Sequence, residues 1–175
     1  MERVSQYYSQ NYWPQYIYVE GMITQIRPVR SRGYGSCTQV MTVEDVEGGI
    51  SNFLIHGTTC IADQEQLYEG MAVTVFYQSD QIAAMVYPPQ FTAAAIVPSM
   101  EDRRAYMGYF NQNLVAGDQD LKLNLAPTTQ VITCNHQPFT GNPAGHLLLV
   151  LYDQTTKSIP PQTTPKKIIV MCGSR

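Results

Sequence analysis

The apolar residues of this chain fall into short alternating or continuous runs separated by Gly, Pro, Asn and Asp, a pattern that predicts strands and tight turns. "YIYVEGMITQI", from Tyr16 to Ile26, is long, β-branched and aromatic, and Gly21 in its middle predicts a bulge or a sharp bend. "CTQVMTVEDV" alternates around Val40 and Val43, and "EGG" turns it back into "ISNFLI", so these two runs should form a hairpin. "ADQEQLYEG", from Ala62 to Gly70, holds helix formers and stops on Gly, as one short helical turn would. "MAVTVFY" and "FTAAAIV" supply two further strands. From about Ala105 the runs "AYMGYF", "LVAG", "LKLNLA", "QVITC", "HLLLVLY" and "KKIIVMC" continue in the same manner. "CNHQPF" between them has the look of a hairpin turn, since Asn135 tolerates positive φ.

Three landmarks occur twice in the same order. Thr58-Thr59 before Cys60 corresponds to Thr128-Thr129 before Gln130, and "GMAVTVFY" (Gly70 to Tyr77) aligns without gaps on "GHLLLVLY" (Gly145 to Tyr152). "YPPQFTAAAIV" from Tyr87 then matches "IPPQTTPKKII" from Ile159. The spacers differ by a few residues, as loops readily do. An internal duplication is the expectation: an aromatic and Gln-rich arm over 1–15, a first unit over 16–97, a polar linker over 98–104, and a second, diverged unit over 105–175.

Five strands, a bent first strand and a helical connection between the third and fourth, together with the phrase "L-x-x-G-M-x-V-x-V" from Leu67 to Val75, resemble the oligonucleotide/oligosaccharide-binding (OB) superfamily over residues 16 to 97. The resemblance implies an all-β chain of two tandem small barrels. It also implies that the loop between the first two strands lines a ligand face. That loop, "RPVRSRGYGS", carries Arg27, Arg30 and Arg32 with Tyr34, a combination of phosphate-pairing cations and a stacking ring that would suit single-stranded nucleic acid or an oligosaccharide.

Composition limits these options. Charged residues make up 14% of the chain, against about 25% in an average globular protein, so the surface is dressed with neutral polar groups. A formal charge of -3 argues against a dedicated polyanion binder. No run approaches the ~18 apolar residues of a membrane span, and the N-terminus lacks a leader-like apolar core, which points to the cytoplasm.

Cys37, Cys60, Cys134 and Cys172 show no C-x-x-C spacing and are expected to be reduced and mostly buried. His56-x-x-x-Cys60 with Cys37 is only half of a zinc motif, so no metal or other cofactor is expected. No nucleophile elbow, phosphate loop or catalytic carboxylate pair is present. A non-catalytic binding or assembly module is therefore the leading expectation.

The paired prolines have a structural reading. Pro88-Pro89-Gln90 and Pro160-Pro161-Gln162 fix φ and remove donors at the start of a closing strand, with each Gln placed to bond the backbone beside it. Tyr12 and Trp13, in the arm "YYSQNYWPQYIY", offer rings for a ligand, a protein partner or a second copy of the chain.

Overall fold

The computed structural model describes residues 14–29, 37–81, 86–117 and 119–172. Arg30, Arg32, Tyr34, Tyr12 and Trp13 lie outside these residues. The fold is all-β, with strands β1 (Tyr16–Pro28), β2 (Thr38–Asp45), β3 (Ile50–His56), β4 (Cys60–Ile61), β5 (Ala72–Gln78), β6 (Gln90–Thr92) and β7 (Ala95–Pro98) in the first half. The second half holds β8 (Arg104–Tyr109), β9 (Val115–Ala116), β10 (Leu121–Leu123), β11 (Gln130–Thr133), β12 (Leu147–Tyr152), β13 (Gln162–Thr163) and β14 (Lys167–Val170). One 3-10 turn, Ala62–Gln64, stands where the short helical turn is expected. Among the described residues no helix is long and apolar enough to cross a membrane.

The first half forms one sheet in the order β4-β7-β5-β1-β2-β3-β6. Gly21 is paired on both sides, to Val73 of β5 and to Asp45 of β2, because β1 changes partner there. A Cβ at this position would stand 2.3 Å from the carbonyl oxygen of Glu44, so only glycine lets the strands approach this closely. The predicted irregularity follows as a register shift between Ile23 and Gln25. The β2–β3 hairpin turns as expected, with Asp45 Oδ1 accepting from the backbone N–H of Glu47 and of Gly49, both at 2.9 Å.

The second half divides into two sheets, β11-β14-β12-β8 and β13-β10-β9, joined by the bridge Phe110 to Ala116. Across that bridge the order becomes β11-β14-β12-β8-β9-β10-β13, which repeats the first sheet place by place. Strand directions repeat too: β4/β7 and β11/β14 are parallel, as are β3/β6 and β10/β13, while β5/β7 and β12/β14 are antiparallel.

Single hydrogen bonds repeat as well. Gly70 N–H donates to Ile23 O at 2.7 Å and Gly145 N–H to Phe110 O at 2.9 Å. Asn52 N–H donates to Pro89 O and Lys122 N–H to Pro161 O, each at 2.9 Å. Thr59 Oγ1 accepts from His56 N–H at 2.9 Å and Thr129 Oγ1 from Ala126 N–H at 3.2 Å. The bonds Tyr87–Pro88 and Ile159–Pro160 are both cis.

Barrels were expected, but none of the three sheets closes into one. The reason lies in the segment after each Pro-Pro pair, which is split rather than continuous. In the first half, Ala93 N–H bonds to Leu54 O of β3 while the next residue, Ala94, bonds to Phe76 O of β5. The chain thus steps from one side of the sheet to the other, and no ladder joins β6 to β7. Gln90 and Gln162 begin β6 and β13. The Gln162 side chain, expected to bond backbone, accepts from Asn124 Nδ2 at 3.0 Å instead.

Three apolar clusters hold the chain together. One lies inside the first half around Phe53 and Ile23, and one inside the second around Phe110 and Leu148. The third lies between the halves, where Phe76, Ala95 and Val97 meet Met107, Ile132, Leu149 and Ile169. Burying each such Leu, Ile or Phe side chain contributes about 1.5–3 kcal/mol, so this seam binds the halves into one body.

The seam also overturns the expectation of four reduced, mostly buried thiols. It brings β4 and the turn after β11 together, so that Cys60 and Cys134 form a disulfide with a Cα–Cα distance of 5.5 Å. Cys37 and Cys172 are free and exposed.

Candidate functional site

Among the site residues expected from the sequence, Arg27 lies on β1, exposed, with Nη1 donating to Gln25 Oε1 at 2.9 Å. The half-motif for zinc does not assemble. Cys60 is bonded to Cys134, His56 Nδ1 lies 3.2 Å from Thr38 Oγ1, and no metal-holding cluster occurs among the described residues. In the "CNHQPF" turn the positive φ, 65°, falls on His136 rather than Asn135. Thr133 N–H closes that turn onto Gln137 O at 2.9 Å.

A hollow lies elsewhere, at the place where β8 parts from β9. In the first half β1 runs on for 13 residues and pairs along β2. In the second half β8 stops after 6 residues, and only the Phe110 bridge continues toward β9. The shortened strand leaves a cleft of about 550 Å³. Tyr16, Tyr106 and Tyr109 line it together with Asn111, Gln112 and Asp120.

Its walls are held from several directions. The Tyr106 ring lies across Gly108, so close that a Cβ there would come within 2.9 Å of the ring carbon Cε1. That placement lets the Tyr106 hydroxyl donate to Asp120 Oδ2 at 3.0 Å, while the ring meets Phe110 edge-on at 5.8 Å. Tyr16 comes from β1 across the seam, its hydroxyl accepting from Gln78 Nε2 at 3.1 Å. Burial raises the Tyr109 phenol above its ordinary pKa, and neighbouring Tyr16 adds to the effect, so Tyr109 keeps its proton at physiological pH.

Asn111 shapes the turn between β8 and β9, its Oδ1 accepting from Asn113 N–H at 2.9 Å and Val115 N–H at 3.1 Å. Gln112 occupies the space above Gly145, where a Cβ would lie 2.6 Å from its side-chain nitrogen.

The described lining offers one carboxylate, amides and phenol hydroxyls, with no imidazole or thiol. This chemistry grips a polar ligand by hydrogen bonds and flat apolar contact. The sequence does not single out Tyr106, Tyr109 and Asp120, because only the fold brings them together with Tyr16. The signal available was the run of rings followed by amides, "YMGYFNQN". No protein-family model, curated protein or solved structure matches this chain.

Proposed function

We propose that the chain is a non-catalytic binding module made of two copies of one OB-like unit, and that its ligand occupies the cleft between Tyr16, Tyr106 and Tyr109. Two sets of observations support the architectural part. The strand order, the strand directions and the Gly70/Gly145, Pro89/Pro161 and Thr59/Thr129 hydrogen bonds recur in both halves. Within each half, the segments after Pro-Pro pair parallel to one strand and antiparallel to another, as the last strand of an OB unit does.

The carrying observation for binding is the cleft, where tyrosine rings from both halves face Asn111, Gln112 and Asp120. Rings give flat apolar area with few rotatable bonds, and amides and a carboxylate pair with hydroxyl groups. The ligand class that fits is a neutral, hydroxyl-rich ring compound such as a short saccharide.

Titrating the full chain with maltotriose and with chitotriose, followed by calorimetry and by the aromatic NMR signals, tests this reading. Binding should move the Tyr106 and Tyr109 signals, and Tyr109→Ala should weaken it about tenfold, as loss of a buried ring contact does. Silence of those signals with both saccharides sinks the cleft. Retention of a single-stranded oligonucleotide that disappears in Arg27→Ala would instead favour the arginine loop.

A further inference from the structure

A second hollow lies along the seam, about 370 Å³ in volume. Tyr18 and Glu20 of β1, Ser99, Arg103, Arg104 and Tyr152 border it. We infer that this hollow binds a small oxyanion, either a phosphate or a carboxylate group, through Arg103 and Arg104.

Arg103 is held like a fixed fork. Its Nη1 donates to Asp63 Oδ2 at 2.5 Å, its Nη2 to the carbonyl of Pro98, and its backbone N–H to Met100 O at 3.3 Å. Of its other guanidinium donors, Nε is buried with no partner among the described residues. A buried cationic N–H left without an acceptor is costly, and such positions are normally filled. Arg103 and Arg104 both border the hollow, and an oxyanion seated there accepts from the guanidinium donors they present.

Charge points the same way. Asp63 serves two cations at once, since Lys167 Nζ also donates to its Oδ1 at 2.6 Å. Arg104 forms no ion pair among the described residues. Arg103, Arg104 and Lys167 thus face Asp63 and Glu20, a local excess of one positive charge in a chain whose formal net charge is -3. Glu20, also in the lining, opposes anion binding, while Tyr18, Ser99 and Tyr152 add hydroxyl groups to the donors of the two arginines.

This inference is independent of the saccharide reading, since the two hollows share no lining residue. The test uses the full chain with sodium phosphate, sodium acetate or sodium chloride at matched ionic strength, read by thermal unfolding and by the Arg Nε–H NMR signals. Phosphate or acetate should raise the unfolding temperature with saturation and shift the Arg103 Nε–H signal, and the stronger of the two identifies the oxyanion. Arg104→Gln should weaken the response about tenfold, the loss of one charge-assisted hydrogen bond. An equal response to chloride, or an undiminished response in Arg104→Gln, overturns the proposal. Wild-type protein that responds to none of the salts does so as well.

Discussion

The two halves differ most where they face away from each other. β2 and β3 pair over seven positions, from Thr38 with His56 to Glu44 with Ile50, whereas β9 and β10 pair over two. Along the seam the halves keep nearly the same size: β7 and β14 have 4 residues each, and β5 and β12 have 7 and 6. Packing explains the contrast. A strand at the seam is constrained on one face by its own core and on the other by the opposite half, so its length is fixed twice. A strand on the outer wing answers only to its own core, and in the second half that wing is much shorter. The Tyr16–Tyr106–Tyr109 cleft occupies the space so opened.

The strongest attempt to break this comparison is a cavity on either side of it. Phe53→Ala, inside the first half, should cost about 3–5 kcal/mol, and Leu149→Ala, at the seam, about 2–5 kcal/mol. Both residues are fully buried. If the seam makes one cooperative body, both changes shift a single unfolding transition in urea, followed by circular dichroism. Two transitions, with only one displaced by Phe53→Ala, would show that the halves unfold separately.

Next in size is the covalent tie. Cys60 and Cys134 lie 74 residues apart, and opening a bridge across such a loop should lower stability by about 2–4 kcal/mol. Cys60→Ala measures this, and thiol titration of the unreduced, unfolded chain should find only Cys37 and Cys172 reactive.

Asp63 supplies an acid-sensitive contribution at the same seam. Burial alone would raise its pKa, but hydrogen bonds from Lys167 and then Arg103 outweigh burial and leave it below its ordinary value of 3.8. Because the folded pKa is depressed, this contribution is present above pH 3.8 and is lost as pH falls from there through the folded value. Asp63→Asn should flatten the acid limb of the stability curve in that window, and an unchanged limb would contradict the assignment.

The smallest effect sharpens the comparison most. Thr59→Val removes the bond from His56 N–H, worth about 0.5–1.5 kcal/mol. Thr129→Val removes its counterpart from Ala126 N–H and also the bond that Thr129 Oγ1 donates to Pro165 O at 2.8 Å, so the second cost should exceed the first by about one such bond if the halves use one design. A Thr59→Val cost larger than that of Thr129→Val would say that the resemblance stops at topology.

The sequence announced some of this directly. The phrases Gly70 to Tyr77 and Gly145 to Tyr152 lead into β5 and β12, and each Pro-Pro-Gln leads into a strand parallel to its neighbour. These features are local, set by glycine, proline and apolar alternation, so they are readable without a fold. The Cys60 to Cys134 pairing was not readable, because only the meeting of β4 with the turn after β11 makes it. The cleft stayed hidden for the same reason: Tyr16 and Tyr109 lie far apart in sequence and approach only across the seam. Nor did "LVAG" and "LKLNLA" reveal how little of a hairpin they would form.

A chain whose two halves share one pairing plan runs the hazard of assembling with a strand in the wrong half. β7 and β14 occupy the same place in that plan, and Ala95, fully buried, stands where β14 carries Lys167. An exchange would drive an ammonium group into an apolar slot and strip Asp63 of its Lys167 partner. The Lys167 position is thus one at which the two halves are not interchangeable, and the difference disfavours the exchange.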